Sequence, residues 1–162
     1  MGETHTEADF EELSWHDCHV WGIEFLVGDP DEGDWTSALV LRIDYIAEWI
    51  CGLDRRASFR IAPAELTFHG VTDPKVAIDW GGRTFQTSIH HVIINRITRE
   101  PIVDQKVFLD RPYYRWLVDL QTLTRGKIEF GAVGFSQTLL AEPVLSARQH
   151  LTRHERNRLT GR

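Results

Sequence analysis

Hydrophobic and polar side chains alternate with a period of two along most of this chain. The alternation is clearest in residues 20–27 and 37–46, which flank a loop rich in Gly, Pro and Asp. A period of two places successive side chains on opposite faces of a β-strand, and these loop residues favour tight turns. The two segments therefore predict a β-hairpin.

The same alternation recurs further along the chain. Turn residues separate the segments and no long helical pattern lies between them, so parallel βαβ units are not expected. We predict an all-β, mainly antiparallel fold, a sandwich or partly open barrel with short helical segments. Residues 1–162 form a single domain in this interpretation, with residues 1–12 and 146–162 at its periphery. The further predicted strands cover residues 57–61, where Pro63 stops the strand, 65–71, 75–80, 89–99, 114–122 and 126–138.

Interruptions of the alternation predict the helical pieces. Residues 7–13 favour a short helix with Thr6 as N-cap, and residues 46–53 favour a helical turn. The tail from Ser146 favours a helix capped by that serine, but it offers only two leucines as an apolar face. A frayed tail is therefore an equal alternative.

The parity of the alternation also selects a core. Side chains that share the apolar face of a strand are expected to be buried together. The side chains expected to be largely buried are Trp21, Ile23, Phe25, Leu39, Leu41, Ile43, Leu66, Phe68, Trp116, Val118, Leu120, Ile128 and Phe130.

Composition is that of a globular protein, with 42% hydrophobic and 26% charged residues in 162. No run approaches the roughly 18 apolar residues that span a membrane. The first residues are acidic and lack an apolar stretch, so we expect no signal peptide and a cytoplasmic location. Cys18 and Cys51 are too few for a disulfide framework and are expected to be free thiols.

Charge is distributed unevenly along the chain. The net charge is −6, yet residues 1–41 hold eleven Asp or Glu and no Lys or Arg, whereas residues 146–162 hold five Arg and one Glu. The favoured interpretation is an acidic region that screens the basic tail within the chain or between subunits. Nucleic acid is the less favoured partner, because the chain is acidic overall and its tail lacks aromatic residues. A protein partner or a second copy of the chain is the expected partner.

The densest group of chemically active side chains is His16, Asp17, Cys18 and His19, which follows Trp15 at the entry to the first long strand. Neighbours in an extended segment point to opposite faces, so His16 with Cys18, or Asp17 with His19, can meet one metal ion. Zinc generally needs at least three protein ligands. The third ligand would come from His69, His90 or His91.

The competing interpretation of this group is structural. Short polar side chains commonly satisfy turning backbone, so Asp17 and His16 would fix a corner while Cys18 lies in the core. This structural interpretation is the favoured one.

Asp44 and Glu48 form a second candidate pair. If the chain turns helical at Tyr45, the two carboxylates lie near each other and can act as acid and base or hold a hard cation. The favoured interpretation is structural and places Asp44 on the solvent face of its strand and Glu48 on the open side of a turn.

Trp35 is the indole most expected to be exposed, because it lies in an acidic turn. An exposed aromatic side chain in a loop is typical of a binding surface. The chain has no GxGxxG, GxxxxGK[ST], HExxH, GxSxG, EF-hand or CxxC pattern. We therefore expect no cofactor and, on balance, no enzymatic activity.

Several segments together resemble a group of small bacterial proteins to which no activity, cofactor or catalytic residue is attached. The chain is also similar to small bacterial immunity-type proteins, which begin with a segment bearing Trp, His and Asp and continue as β-strands. The second likeness implies a protein partner. The segments that carry the resemblance are Leu13 to Asp17, Arg42 to Ile46 with Glu48 and Trp49, Ala62 to Phe68, Val71 to Asp73, Gly134 to Gln137 and Glu142 to Ser146.

Two classes of function follow. The first is a non-enzymatic binding protein that uses its acidic surface and Trp35. The second is a small metal-dependent enzyme or metal-binding protein that uses His16 and Asp17 with Asp44 and Glu48. The second class requires these four side chains to lie within about 6 Å of one another in a concave pocket.

Overall fold

The computed structural model describes residues 3–81, 89, 92–103, 110–122 and 124–162, which form one large, mostly antiparallel β-sheet. The predicted all-β, partly open fold is confirmed. Two short 3₁₀ helices cover Glu7–Asp9 and Pro30–Glu32, and one α-helix, α1, covers Arg153–Thr160. The strands are β1 Thr4–Thr6, β2 His19–Val27, β3 Ser37–Cys51, β4 Ala57–His69, β5 Thr72–Ile78, β6 Val92–Pro101, β7 Tyr114–Gln121, β8 Gly126–Ala132, β9 Gly134–Leu139 and β10 Val144–Ser146.

Neighbouring strands follow the order β1-β9-β4-β3-β2-β6-β7-β8-β5, and β10 pairs with β4 beside this path. The predicted hairpin is present as β2 and β3. Strands β4 and β5 meet at a corner at Gly70, which has a φ of 62°. Strands β8 and β9 meet at Val133, whose N–H donates to the carbonyl oxygen of His69 over 2.9 Å. The two corners lie together, so the sheet bends around one core.

The core contains most of the side chains that the alternating pattern predicts to be buried. Aromatic rings pack edge to face at its centre, where Phe68 lies 5.1 Å from Trp116 and 4.8 Å from Phe130 between ring centroids. These contacts join β4, β7 and β8 across the bend. The predicted core residues that are at most 2% exposed are Leu39, Leu41, Ile43, Leu66, Phe68, Trp116, Val118, Leu120, Ile128 and Phe130.

The burial predicted for the outer part of β2 is wrong. Ile23 and Phe25 are 37% and 41% exposed, and Trp21 is only partly buried. Ile23 and Phe25 lie opposite the buried Leu41 and Leu39 of β3, whereas Trp21 falls at a shift of register and has no partner in β3. However, within the described residues β2 pairs with β6 only at His19 and Val20, so few neighbours cover its outer part.

The predicted helical turn over residues 46–53 is also wrong. Strand β3 continues to Cys51, and a shift of register between Ile46 and Glu48 absorbs the change in alternation. Trp49 then lies opposite Phe59 of β4, with ring centroids 4.9 Å apart. A β-bulge accommodates one extra residue in this way without ending the strand.

Pro63 does not end its strand as predicted, and β4 continues through it to His69. On that side of β4, β10 pairs with Phe59 to Ile61 and β9 pairs from Ala64 onward. Pro63 falls between the two, where its missing N–H removes no ladder hydrogen bond. Its carbonyl oxygen accepts a hydrogen bond from the N–H of Leu140 over 2.8 Å.

The helical pieces at the two ends of the chain are shorter than predicted. The first is a single 3₁₀ turn after Thr6, whose N–H donates to Asp9 Oδ2 over 2.7 Å. Ser146 lies in β10, and the tail helix begins instead after Thr152. Thr152 Oγ1 accepts from the N–H of Glu155, whose carboxylate accepts from the N–H of Thr152. Within the described residues, none of the helices has the length and hydrophobicity of a transmembrane segment.

Candidate functional site

The polar group at residues 16–19 forms a tight turn at the entry to β2. The N–H of Cys18 donates to the carbonyl oxygen of Trp15 over 3.1 Å, and Asp17 adopts a φ of 63°. Two backbone hydrogen bonds join this turn to β6. The N–H of Asp17 donates to the carbonyl oxygen of Ile94, and the N–H of Ile94 donates to the carbonyl oxygen of Cys18, each over 2.9 Å. The backbone of the turn is thereby held at both ends.

The structure brings His16 and Asp17 together. His16 Nε2 lies 3.6 Å from Asp17 Oδ1, and its Nδ1 lies 2.9 Å from the carbonyl oxygen of Asn95. Asp17 Oδ2 accepts a hydrogen bond from the Gln149 amide over 3.1 Å. The His16 side chain is 58% exposed and that of Asp17 is 27% exposed. The pair is therefore partly accessible, but Asp17 is already bound to the C-terminal part of the chain.

Cys18 lies in the core and is fully buried. Burial raises the pKa of its thiol to about 12, and the nearby charges of Asp44 and Asp17 act in the same direction. A hydrogen bond of 3.5 Å from the N–H of Ile46 to Sγ opposes this rise without cancelling it. Because the thiolate is the form that binds metal and attacks electrophiles, Cys18 is a packing residue at neutral pH.

His19 faces the C-terminal part of the chain. It lies opposite Asp44 in the register of β2 and β3, and its ring stacks on His150 with centroids 4.6 Å apart and planes inclined by 27°. The imidazole of His19 is therefore packed against another aromatic ring.

The predicted third metal ligands do not complete a site in the described part of the chain. His69 lies at the end of β4, where its Nε2 is 2.8 Å from Ser136 Oγ. His90 and His91 lie outside the described residues. Among residues that the structure describes, no group of three His, Cys, Asp or Glu is arranged to hold a metal ion.

Asp44 is fully buried, so the expectation that it lies on a solvent face is wrong. Its Oδ1 accepts from Arg156 Nε, and its Oδ2 accepts from Arg156 Nη2, both over 2.8 Å. The N–H of Leu151 donates to Oδ2 over 2.9 Å. The carboxylate thus has three donors, two of them from a bidentate guanidinium, and it anchors the C-terminal part of the chain.

Glu48 lies in a different environment from Asp44. Its side chain is 58% exposed and lies 3.1 Å from Arg60 Nε on β4. A cavity of about 220 Å³ beside the turn is lined by His16, but Asp17, Asp44 and Glu48 are not among its lining residues. His16 and Asp17 are therefore neighbours, whereas Asp44 is enclosed and Glu48 is in solvent.

The residues that organise this region come from residues 149–156, which we call the C-terminal clasp. Gln149 binds Asp17, and both Leu151 and Arg156 bind Asp44. The sequence contains one feature that indicates the contact between Asp44 and the C-terminal clasp. An aspartate among the apolar residues of β3 needs a cation, and the tail carries five arginines against one glutamate.

The backbone at Asp17 provides a direct test of its structural role. Replacing Asp17 by alanine is expected to lower the free energy of unfolding by about 1–2 kcal/mol, because alanine is strained at positive φ and the Gln149 bond is lost. Asp17→Gly loses the same bond but relieves the strain, so it should be less destabilised than Asp17→Ala. Urea denaturation of the two variants measures the difference, and equal losses would contradict this role.

The loop before β3 holds Trp35 in an exposed position, as predicted, with 77% of its surface accessible. The loop is nevertheless ordered by its own hydrogen bonds. The N–H of Gly28 donates to the carbonyl oxygen of Thr36 over 2.7 Å, and Asp34 Oδ1 accepts from both the N–H and the Oγ1 of Thr36. These last two bonds also lower the pKa of Asp34. A cavity of about 620 Å³ lies beside the loop, lined in part by Leu26, Val27, Trp35, His69, Arg111 and Val133.

Comparisons with known proteins assign no family to this arrangement. No protein-family model matches the chain, and neither a curated protein nor a solved structure shows significant similarity to it.

Proposed function

We propose that this protein is a non-enzymatic, cytoplasmic binding protein that recognises a basic partner protein through Trp35 and its acidic loop. The observation that carries the proposal is the 77% exposed indole of Trp35 on a loop that its own hydrogen bonds hold in place. Burying an exposed Trp at an interface supplies a large share of binding free energy. The resemblance to immunity-type proteins points in the same direction.

Charge selects the kind of partner. Residues 28–36 contain four carboxylates and no basic residue, and they belong to a region of residues 1–41 that has no Lys or Arg at all. A surface of one charge attracts an oppositely charged partner and accelerates its association. A partner that presents Lys or Arg around an apolar side chain fits this surface.

The neighbouring apolar side chains supply the centre of the surface. Leu26 and Val27 are 46% and 79% exposed, and both line the same cavity as Trp35. An apolar centre with a polar rim is the usual arrangement of a protein interface. Because the loop is ordered before binding, little conformational entropy is lost when a partner docks.

The test compares Trp35→Ala with Trp49→Ala, since both indoles are exposed and lie far apart on the sheet. Each variant and the parent protein are used as bait in a pull-down experiment. Any protein that the parent captures is purified, and its binding to the parent and to each variant is measured by calorimetric titration. Trp35→Ala is expected to weaken binding by about 2 kcal/mol or more, roughly thirtyfold, whereas Trp49→Ala leaves it unchanged. Unfolding curves establish that both baits are folded.

The salt dependence adds a second criterion. Neutralising Asp31 and Glu32 is expected to slow association at low ionic strength, with the difference vanishing at high salt. Loss of binding to the same extent in both tryptophan variants, or no partner specific to the parent, would contradict the proposal.

The alternative, a small metal-dependent enzyme, has narrower support. It retains the contact between His16 and Asp17, but Asp44 is committed to Arg156 and Glu48 to Arg60. A catalytic carboxylate pair needs both groups to be accessible to a substrate or a cation. The binding function therefore has the stronger basis.

A further inference from the structure

Helix α1 carries a polar face, whereas Leu159, on another side of the helix, packs against the core. Arg153, Arg156, Asn157 and Thr160 follow the spacing i, i+3, i+4, i+7, which places them on one side of a helix. Helices that pack on a sheet normally bury an apolar face, but no residue of α1 is buried. This polar face lines a cavity of about 350 Å³ together with Trp21, Leu140 and Arg162.

The side chains around this cavity carry unbalanced positive charge. Three of them are arginines and none is a carboxylate. Arg156 is paired with Asp44. In the part of the chain that the structure describes, the guanidinium groups of Arg153 and Arg162 form neither an ion pair nor a hydrogen bond. The cavity therefore has two guanidinium groups that are free to bind an anion.

Trp21 forms one wall of this cavity. Its Nε1 is buried and has no hydrogen-bond acceptor among the described residues. A buried donor without an acceptor is costly and rare. The ring itself is fixed by Arg156, whose Cζ lies 5.1 Å from the ring centroid.

We propose that this cavity binds the phosphate group of a small ligand, either inorganic phosphate or a small phosphate ester. The guanidinium forks present more donors than the two oxygens of a carboxylate use, and they suit the oxygens of a phosphate. The volume of about 350 Å³ is within the range of small-molecule sites. This site lies at the opposite end of β2 from Trp35 and is independent of the partner surface.

Calorimetric titration of the intact chain with inorganic phosphate and with phenyl phosphate, at constant ionic strength, tests the site. Saturable binding of either compound, with acetate much weaker, is the expected result. Saturation by inorganic phosphate alone identifies the free anion as the ligand, and tighter binding of phenyl phosphate identifies an ester. Absence of saturable binding by both compounds overturns the proposal.

A matched pair of variants locates the binding. Arg153→Ala is expected to weaken phosphate binding about tenfold or more, since it removes a charge-assisted fork from the cavity. Arg158→Ala removes the same charge from the same helix but lies at a different cavity, beside Leu145 and Leu159, and is expected to change the affinity less than about twofold. Equal losses of affinity in the two variants would show that phosphate is attracted by the general positive charge of the helix, and this result would overturn the site.

Trp21→Phe keeps an aromatic ring beside Arg156 but replaces the indole by a smaller phenyl ring, so part of the cavity wall is removed. It is expected to weaken phosphate binding by about three- to tenfold because the ligand loses contacts with the wall, and an unfolding curve establishes that the variant is folded. An unchanged affinity in this variant would remove Trp21 from the site and contradict the proposed geometry.

Discussion

Replacing Arg156 by alanine is expected to lower the free energy of unfolding by about 3–5 kcal/mol. The substitution leaves the Asp44 carboxylate buried with only the Leu151 N–H as a donor, and an uncompensated buried charge is strongly destabilising. Such a loss is a large fraction of the stability of an ordinary domain. Urea denaturation at neutral pH measures it.

The control removes both charges. In the double variant Asp44→Leu with Arg156→Met, no charge remains buried and apolar side chains of similar length fill the space, so the loss should be clearly smaller than for Arg156→Ala alone. Arg158→Ala, an exposed change on the same helix, should alter stability by no more than about 0.5 kcal/mol. A loss below about 1 kcal/mol for Arg156→Ala would show that the pair does not anchor the tail.

Truncating Phe68 to alanine is the second change with a large expected effect, about 3–5 kcal/mol on chemical denaturation. The ring is 1% exposed and contacts Trp116 and Phe130 across the bend of the sheet. Its removal leaves a cavity that the surrounding aromatic rings fill only in part, and their edge-to-face contacts are lost.

Phe25→Ala is the matched control for this change. Both phenylalanines share the apolar parity of their strands, but Phe25 is 41% exposed and lies on the outer part of β2. We expect a loss of about 1 kcal/mol or less for Phe25→Ala. Similar losses in the two variants would contradict the burial difference between the inner and outer parts of the sheet.

The fold was largely predictable because its main determinant is local. Alternation of apolar and polar residues located the β2–β3 hairpin and the inward faces of β4, β7 and β8. The failures depend on neighbours that a local pattern does not reveal. Phe25 lies on the predicted face of its strand, but few neighbouring residues cover it. Pro63 is tolerated because two partner strands end on either side of it.

The position of the candidate site could be predicted from the sequence, but the residues that bind its side chains could not. Residues 16–19 stood out by their chemistry, and Trp35 stood out by its position in an acidic loop. The contact between Asp44 and Arg156 joins residues 112 positions apart, so no window of sequence contains both. The same holds for Trp21 and the arginines of α1, which meet only after the tail folds back over β2 and β3.

The C-terminal clasp binds the polar group around Asp17 and Asp44. The N–H of Leu151 is its most direct reporter, because it donates to the fully buried carboxylate of Asp44 although it lies outside regular secondary structure. Hydrogen–deuterium exchange of the intact chain, followed by NMR, measures the protection of this single amide. The contact between Leu151 and Asp44 predicts protection similar to that of the central amides of β3 and β4, and loss of this protection in Asp44→Asn. Exchange at the rate of an unstructured peptide in the parent protein would contradict it.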